Sequence, residues 1–199
     1  FAAVIVSAYF YYRPGWGFMD DSGNLSIAAD FWQKGNLGEV FKHDQGYGRF
    51  RPIYCLWVIM AYHFFAASPV LIYVLVFLVS LATLYLWGKI INKVFEPGGQ
   101  DPFALWVYPL SFFIFTPFWN LFMYISVQEK FVFWFGSAAV YLFIRLYETN
   151  NLKYAWGVFI ATALTVLGKE TGISLVIMFT GYACLDLLFF KENKKLEKY

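Results

Sequence analysis

The chain has 199 residues, of which 60% are hydrophobic, 24% aromatic and 14% charged. Soluble domains average roughly 45 to 50% apolar and about 25% charged residues, so this composition excludes an ordinary water-soluble domain. The net charge of +2, with no basic stripe interleaved with stacking aromatics, also excludes nucleic acid as a partner.

The charged residues are clustered along the chain. No Asp, Glu, Lys or Arg occurs in 52–88 or in 102–128, and a membrane span needs only about 20 apolar residues. This pattern predicts an all-α, polytopic integral membrane protein. Membrane lipid is therefore one expected partner.

Hydrophobic runs, taken in chain order, define the predicted elements. The first run is shorter than a span, which predicts a truncated helix and a fragment of a longer chain, with 1–199 as a single transmembrane domain. A polar loop at 13–51 follows it. Spans are predicted near 1–12 (truncated), 69–87, 102–118, 125–144, 154–168 and 171–190.

The polar loop carries an amphipathic pattern. Leu25, Ala28 and Trp32 recur at helical spacing, and Gly35 is a natural helix stop. These residues predict a surface helix that lies on the membrane.

The aromatic segment 53–67 ends at Ser68-Pro69. It fits a piece lying in or near the membrane interface before the span at 69–87. A tight two-span hairpin is the alternative that the sequence leaves open.

Basic residues in the short loops predict the orientation. One side of the membrane has Lys130 and Lys169, apart from the long loop. The other side collects eight basic residues: Lys89, Lys93, Arg145, Lys153, Lys191, Lys194, Lys195 and Lys198. The larger set is expected in the cytoplasm, which places the long loop outside, most simply at the inner (cytoplasmic) membrane of a prokaryote.

The long loop opens on an acid pair, Asp20-Asp21. Adjacent acids point apart, so one can act as a general base while the other caps a helix or holds a cation. The alternative is a solvated loop start in which Asp21 or Ser22 caps the following helix.

The end of the long loop is rich in polar and aromatic groups. Arg49 and Arg51 precede an apolar run, where their guanidinium groups match phosphate oxygens at headgroup depth; plain anchoring to anionic lipid is the alternative. His43 and Asp44 could ligate a divalent cation, although a hydrogen-bonded loop histidine explains them equally simply. Tyr47 is a further candidate to line a site.

Two later charged motifs are predicted at the same membrane surface. Glu129 begins a span, and Lys169-Glu170 forms a tight turn between two spans. Lys169 could neutralise a phosphate, with Glu170 lining the site. Each motif also has a simpler explanation. Glu129 could be an acid favoured at a helix N-terminus by the helix dipole, and Lys169-Glu170 could be a charged pair that snorkels at the membrane boundary.

Together these motifs resemble the N-terminal half of a GT-C superfamily glycosyltransferase, near its protein O-mannosyltransferase and aminoarabinose-transferase branch. The similarity lies in Asp20-Asp21, Arg49-Phe50-Arg51-Pro52, Gln128-Glu129-Lys130 and Gly168-Lys169-Glu170, which follow in the order and approximate spacing of that family. The resemblance covers nearly the whole chain.

The resemblance implies an inverting transferase of the cell envelope with a GT-C-like helical bundle. Such an enzyme moves a sugar from a polyprenyl-phosphate-linked donor to an acceptor glycan, lipid or protein at the extracytoplasmic face. It implies Asp20 as the general base, oriented by Asp21, with Glu129 as a second acid. Arg49, Arg51 and Lys169 would bind the donor phosphate.

Two other classes fit parts of the pattern. A non-catalytic GT-C-like scaffold or lipid-binding subunit would keep the fold without transfer. A transporter is less compatible, because the sequence has no internal repeat and no charge near the middle of a span. The sequence leaves the sugar, the acceptor and a metal requirement open.

Overall fold

A computed structural model of the chain describes residues 20–46, 49–65, 69–95 and 128–185. Its regular elements there are all helical. The spans predicted at 1–12 and 102–118 lie outside the described residues. The helices are α1 (Asp20–Lys34), α2 (Leu37–Gly46), α3 (Pro52–Phe65), α4 (Pro69–Phe95), α5 (Glu129–Thr149), α6 (Leu152–Gly168) and α7 (Ile173–Leu185).

Within its described part, the polar loop is built from α1 and α2. Helix α1 is described from Asp20 onward, so Asp21 and Ser22 lie within it and not at its N-cap, as the capping alternative requires. It ends at Lys34, because Gly35 takes a positive φ of 67° and its N–H donates to the Phe31 carbonyl at 2.7 Å. The expected glycine stop is thus confirmed, since glycine adopts this left-handed conformation without a steric penalty.

Helices α4 and α5 lie side by side and run parallel. The Trp134 Nε1–H donates to Ser80 Oγ at 3.0 Å, and further along both helices Lys93 Nζ lies 2.5 Å from the Glu148 carboxylate. Lys89 and Lys93 belong to α4, so this helix continues beyond the predicted span at 69–87. The Lys89 ammonium lies 4.9 Å from the centroid of the Tyr85 ring, one helical turn earlier on α4.

Helix α5 continues past the predicted end of its span. Arg145 and Glu148 form an ion pair at 3.1 Å on its last turns, which keeps this charged stretch helical. The chain then reverses at Asn150, which has a φ of 50°. Asn151 caps α6, since its side chain accepts a hydrogen bond from the Lys153 N–H at 3.0 Å.

Helix α3 lies at the end of the bundle where α5 begins. Its Tyr54 and Trp57 rings lie 6.4 and 6.1 Å from the Phe131 ring. Helix α3 ends at Phe65 and α4 begins at Pro69. Four residue steps of extended chain span at most about 14 Å, so these two helix ends lie close together. An interfacial segment and a two-span hairpin both have this arrangement, so α3 fits either of the alternatives that the sequence leaves open.

The core is formed where α3, α4 and α5 meet. Residues with little or no exposed surface on these helices include Tyr54, Val58, Ile72, Tyr73, Val76, Phe131 and Trp134. Helix α1 packs on α3 and buries Ala28. Burial of these side chains joins the polar-loop helices to the long apolar helices.

Among the described residues, two helices are by length and composition long and apolar enough to cross a membrane: Val70–Val94 and Glu129–Thr149. Only 33% and 28% of their most apolar stretches are buried inside the protein. Large apolar side chains are therefore exposed on the long helices, and on α6 and α7 as well, among them Leu71, Leu78, Trp156, Phe159, Ile177 and Leu185.

Close packing at two glycines joins α6 to its neighbours. A Cβ atom at Gly168 would lie 2.6 Å from the Phe131 Cβ, and one at Gly172 would lie 2.8 Å from the Thr165 carbonyl carbon. Gly172 belongs to the 3₁₀ turn Glu170–Gly172 that links α6 to α7. The turn can therefore pack against α6 only because residues 168 and 172 are both glycines.

We expect Gly168→Ala to destabilise the protein by about 1 to 3 kcal/mol, the usual cost of forcing extra atoms into packed structure. Gly181→Ala is the matched control, because a Cβ there meets nothing within 4 Å. Thermal unfolding in detergent should give a lower midpoint for the first variant alone. Equal midpoints would contradict the close contact between α5 and α6.

Candidate anion-binding site

Arg51 is placed by the start of α3. It directly precedes Pro52, a residue type favoured in the first helical turn because its missing N–H is not needed there. The Arg51 carbonyl accepts the first bond of the helix, from the Cys55 N–H at 3.0 Å. Its guanidinium carbon lies 5.1 Å from the centroid of the Tyr54 ring, and the residue is only 5% exposed.

Glu129 and Lys169 meet across the bundle. Lys169 Nζ lies 3.2 Å from Glu129 Oε1 and donates a hydrogen bond to Gln128 Oε1 at 3.3 Å. Lys169 is held at this height because its backbone N–H bonds to the Thr165 carbonyl at 2.9 Å, just before the 3₁₀ turn. The Lys169 side chain is 15% exposed and that of Glu129 is 57% exposed, so the pair faces outward on one side.

Arg51 belongs to the same cluster. Its charge interacts electrostatically with the Glu129 carboxylate, as the Lys169 charge does. The structure therefore brings together three residues that the sequence analysis assigned to one site: Arg51, Glu129 and Lys169. They come from three separate parts of the chain.

A fourth charged residue, Lys130, lies beside this cluster and was missed by sequence reasoning. Its exposed fraction is 0%. Its Nζ lies 5.8 Å from the Trp57 ring centroid and 6.0 Å from that of Trp134. The available signal was the helical spacing between Lys130 and Trp134, which puts both side chains on one face of α5.

A π-helical turn, Val132–Gly136, interrupts α5 directly after these residues. Such turns insert one extra residue per helical turn and are frequent at functional sites. Within it, Trp134 is fixed by its bond to Ser80, and Gly136 lies against Leu175 of α7. Helix α5 is thereby anchored on two sides just below the charged residues.

Three cationic side chains of this cluster, those of Arg51, Lys130 and Lys169, lie around the carboxylate of Glu129. The aromatic rings of Tyr54, Trp57, Phe131 and Trp134, the aromatic cluster hereafter, exclude water from one side of it. A region of low exposure that holds several cationic side chains and forked guanidinium donors is suited to bind a phosphate or another oxyanion.

The remaining predicted residues lie elsewhere or are only partly described. Arg49 and Glu170 are exposed. The backbones of Asp20 and Asp21 form the first turn of α1, and those of His43 and Asp44 belong to α2. The side chains of these four residues, and Tyr47 altogether, lie outside what the structure describes.

The described residues do not offer a set of ligands for a metal ion. No group of three or more His, Cys, Asp or Glu side chains there could hold an ion. Cys55 is buried and Cys184 is exposed on α7, and neither is in a disulfide.

No protein-family model, curated protein sequence or solved structure matches this chain.

Proposed function

We propose that this protein is a membrane glycosyltransferase that takes its sugar from a polyprenyl-phosphate-linked donor and transfers it at the extracytoplasmic face. The observation that carries the proposal is the convergence of Arg51, Lys130 and Lys169 around Glu129 at one end of the helices. A lipid-linked phosphate is the anion that reaches such a place most directly, because its tail can stay among the apolar helices.

Exposed apolar surface on the long helices supports membrane insertion. A core helix of a soluble protein would be mostly buried, whereas the most apolar windows of α4 and α5 are buried by only about a third or less. Contiguous exposed apolar surface of this kind marks contact with lipid or another apolar partner. Charged residues of these helices lie near their ends, at Glu129-Lys130 and at the group formed by Lys93, Arg145 and Glu148.

Transfer requires two kinds of group around the donor. The acceptor oxygen or nitrogen attacks the anomeric carbon and forms the new bond, while the bond between that carbon and the phosphate oxygen breaks. The bonding electron pair stays on the phosphate, and the acceptor proton passes to a base. In this proposal Asp20 is the base, Asp21 orients it, and Arg51 and Lys169 stabilise the leaving phosphate.

Glu129 has a separate part in the proposal. Its carboxylate lies 3.2 Å from Lys169 Nζ, and in this proposal its exposed oxygens face the acceptor side. When a donor phosphate arrives, Lys169 can share its three N–H donors between Glu129 and the phosphate. Glu129 thus keeps the ammonium oriented in both states.

A lipid-binding scaffold without transfer activity is the second candidate. It needs only the cations of the site, because a lipid phosphate can be bound beside the Lys169–Glu129 pair without a base. Both candidates predict binding of a lipid phosphate, and only the transferase requires the carboxylate of Asp20.

The proposed orientation can be tested by cysteine labelling. In a Cys184→Ser background, with Cys55 buried, we expect Gln33→Cys on exposed α1 to react with an impermeant maleimide in intact cells. Lys153→Cys, exposed at the start of α6, should react only after lysis. The reverse pattern would place the anion site on the cytoplasmic side.

Donor binding should depend on the cationic cluster. Arg51→Ala and Lys169→Ala should each weaken binding of a polyprenyl monophosphate by about ten- to a hundredfold, since a charge-assisted bond contributes roughly 1.5 to 3 kcal/mol. Arg51→Lys should restore part of the loss, because lysine keeps the charge without the fork. Binding to protein in lipid nanodiscs measures this, with the exposed Lys153→Ala as control. If both alanine variants bind the monophosphate with unchanged affinity, Arg51 and Lys169 only anchor the protein to lipid headgroups and do not bind the donor.

Turnover should depend on Asp20. Asp20→Asn should keep the fold and donor binding but lower sugar transfer by about 10²-fold or more, the usual effect of losing a general base. Asp21→Asn should cost less, and Asp30→Asn, which alters an exposed acid of the same helix paired with Lys34, should cost little. The measurement is transfer from a lipid-linked donor by purified full-length variants with matched melting curves. Full activity of Asp20→Asn would favour the scaffold.

A further inference from the structure

Gln128 directly precedes α5, at the position from which a side chain can cap a helix. A capping side chain accepts a hydrogen bond from a backbone N–H of the first turn, and glutamine is not among the residues preferred for this task. The Gln128 side chain makes no such bond. Its amide oxygen instead accepts a hydrogen bond from Lys169 Nζ at 3.3 Å, 41 positions later in the chain. Local helix chemistry therefore does not explain a glutamine at this position.

The backbone of Lys169 is fixed on both sides. Its N–H donates to the Thr165 carbonyl at 2.9 Å, and its carbonyl accepts a hydrogen bond from the Gly172 N–H at 2.9 Å. The side chain, in contrast, is a flexible four-carbon stem that ends in a rotatable ammonium. The direction of this ammonium therefore depends on the groups that accept its N–H bonds.

Two acceptors at the start of α5 hold the ammonium of Lys169. Glu129 Oε1 lies 3.2 Å from Nζ, and Gln128 Oε1 lies 3.3 Å from it. A lysine has three donors and no acceptor, so the Gln128 amide must turn its oxygen toward Lys169. Within the described part of the chain no further side chain bonds to Nζ, which leaves the third N–H for a ligand oxygen or for water.

The two acceptors differ in how well they are shielded from water. The Glu129 side chain is 57% exposed, and an ion pair at such a place contributes little to the order of either side chain. Gln128 is only half-buried as well, but it is better shielded than Glu129. A group held by one acceptor can also rotate about that bond, and a second acceptor removes this rotation.

We infer that Gln128 is a positioning residue which, together with Glu129, directs the third N–H of Lys169 toward the phosphate of the lipid-linked donor. The inference rests on the proposed function. Ordering a lysine side chain during binding costs conformational entropy, and this cost is smaller when the side chain is already held in place. A neutral amide holds the ammonium without adding a second carboxylate that would repel the phosphate.

The test measures binding of a polyprenyl monophosphate and of neutral polyprenol to the purified full chain in lipid nanodiscs. The variants are Gln128→Met, Lys169→Ala, the double variant and the control Asn151→Ala. Methionine has the length of glutamine but lacks the amide oxygen. Asn151 also precedes a helix, at the other end of α6 from Lys169, and it does cap that helix by accepting the Lys153 N–H at 3.0 Å.

Gln128→Met should weaken binding of the monophosphate by about three- to tenfold, the scale of one net hydrogen bond, and leave binding of polyprenol unchanged. In the Lys169→Ala background the same substitution should have no further effect, because a residue that acts through another loses its effect when that residue is removed. Asn151→Ala should lower the melting midpoint and leave the affinity for both lipids unchanged.

A purely structural role of Gln128 would lower the fraction of protein that binds either lipid, without changing the affinity of the folded remainder for the monophosphate. That result would overturn the inference. So would tighter binding of the monophosphate by Gln128→Met, or losses that add up in the double variant.

Gln128→Asn keeps the inference testable should Gln128→Met fail to fold. It retains an amide but is one methylene shorter, which withdraws the oxygen from Lys169, and it should show the same loss. If Lys169→Ala loses affinity for the monophosphate while neither Gln128 variant does, the inference alone is wrong. If the wild type binds polyprenol as tightly as the monophosphate, the proposed anion site is wrong and the inference fails with it.

Discussion

Packing of α3 against the start of α5 is the constraint on which the rest of the structure depends. Tyr54 and Trp57 of α3 meet Phe131 and Trp134 of α5 through edge-to-face contacts at 5.9 to 6.4 Å. Aromatic pairs of this kind contribute about 0.5 to 1.5 kcal/mol beyond their buried area. They also set the distance between Arg51, at the head of α3, and Glu129-Lys130, at the head of α5.

The second constraint comes from α6. Gly168 lets its backbone approach Phe131, and Gly172 lets the following turn fold onto Thr165. Lys169 lies between these two glycines and therefore ends beside Glu129. Close backbone packing and the polar cluster are thus parts of one arrangement, and a side chain at either glycine would move the ammonium away from its partner.

Some groups of the cluster stabilise the folded protein and others destabilise it. Gathering three cations costs repulsion and desolvation, and the rings, Gln128 and Glu129 offset part of this cost. In the proposed function an anionic lipid would offset more of the cost and would stabilise the protein by mass action.

The sequence by itself determined the helical class, the approximate places of the long apolar helices and the glycine stop after Lys34. Each of these follows from local chemistry: absence of charge over a long run, or the conformational freedom of one residue. Arg51, Glu129 and Lys169 were also identifiable, as charges at the ends of apolar runs. Helix ends were less predictable, since α4 and α5 continue through charged residues that pair with one another, Lys93 and Arg145 with Glu148.

Only the tertiary structure decided which charges share a site. Arg49 and Arg51 look equivalent in sequence, yet Arg49 is exposed and Arg51 is buried against the Tyr54 ring. Lys130 looks like an ordinary charge at the head of a helix, but packing of α3 over α5 removes it completely from the surface. Burial depends on contacts between segments distant in the chain, and local pattern carries no information about them.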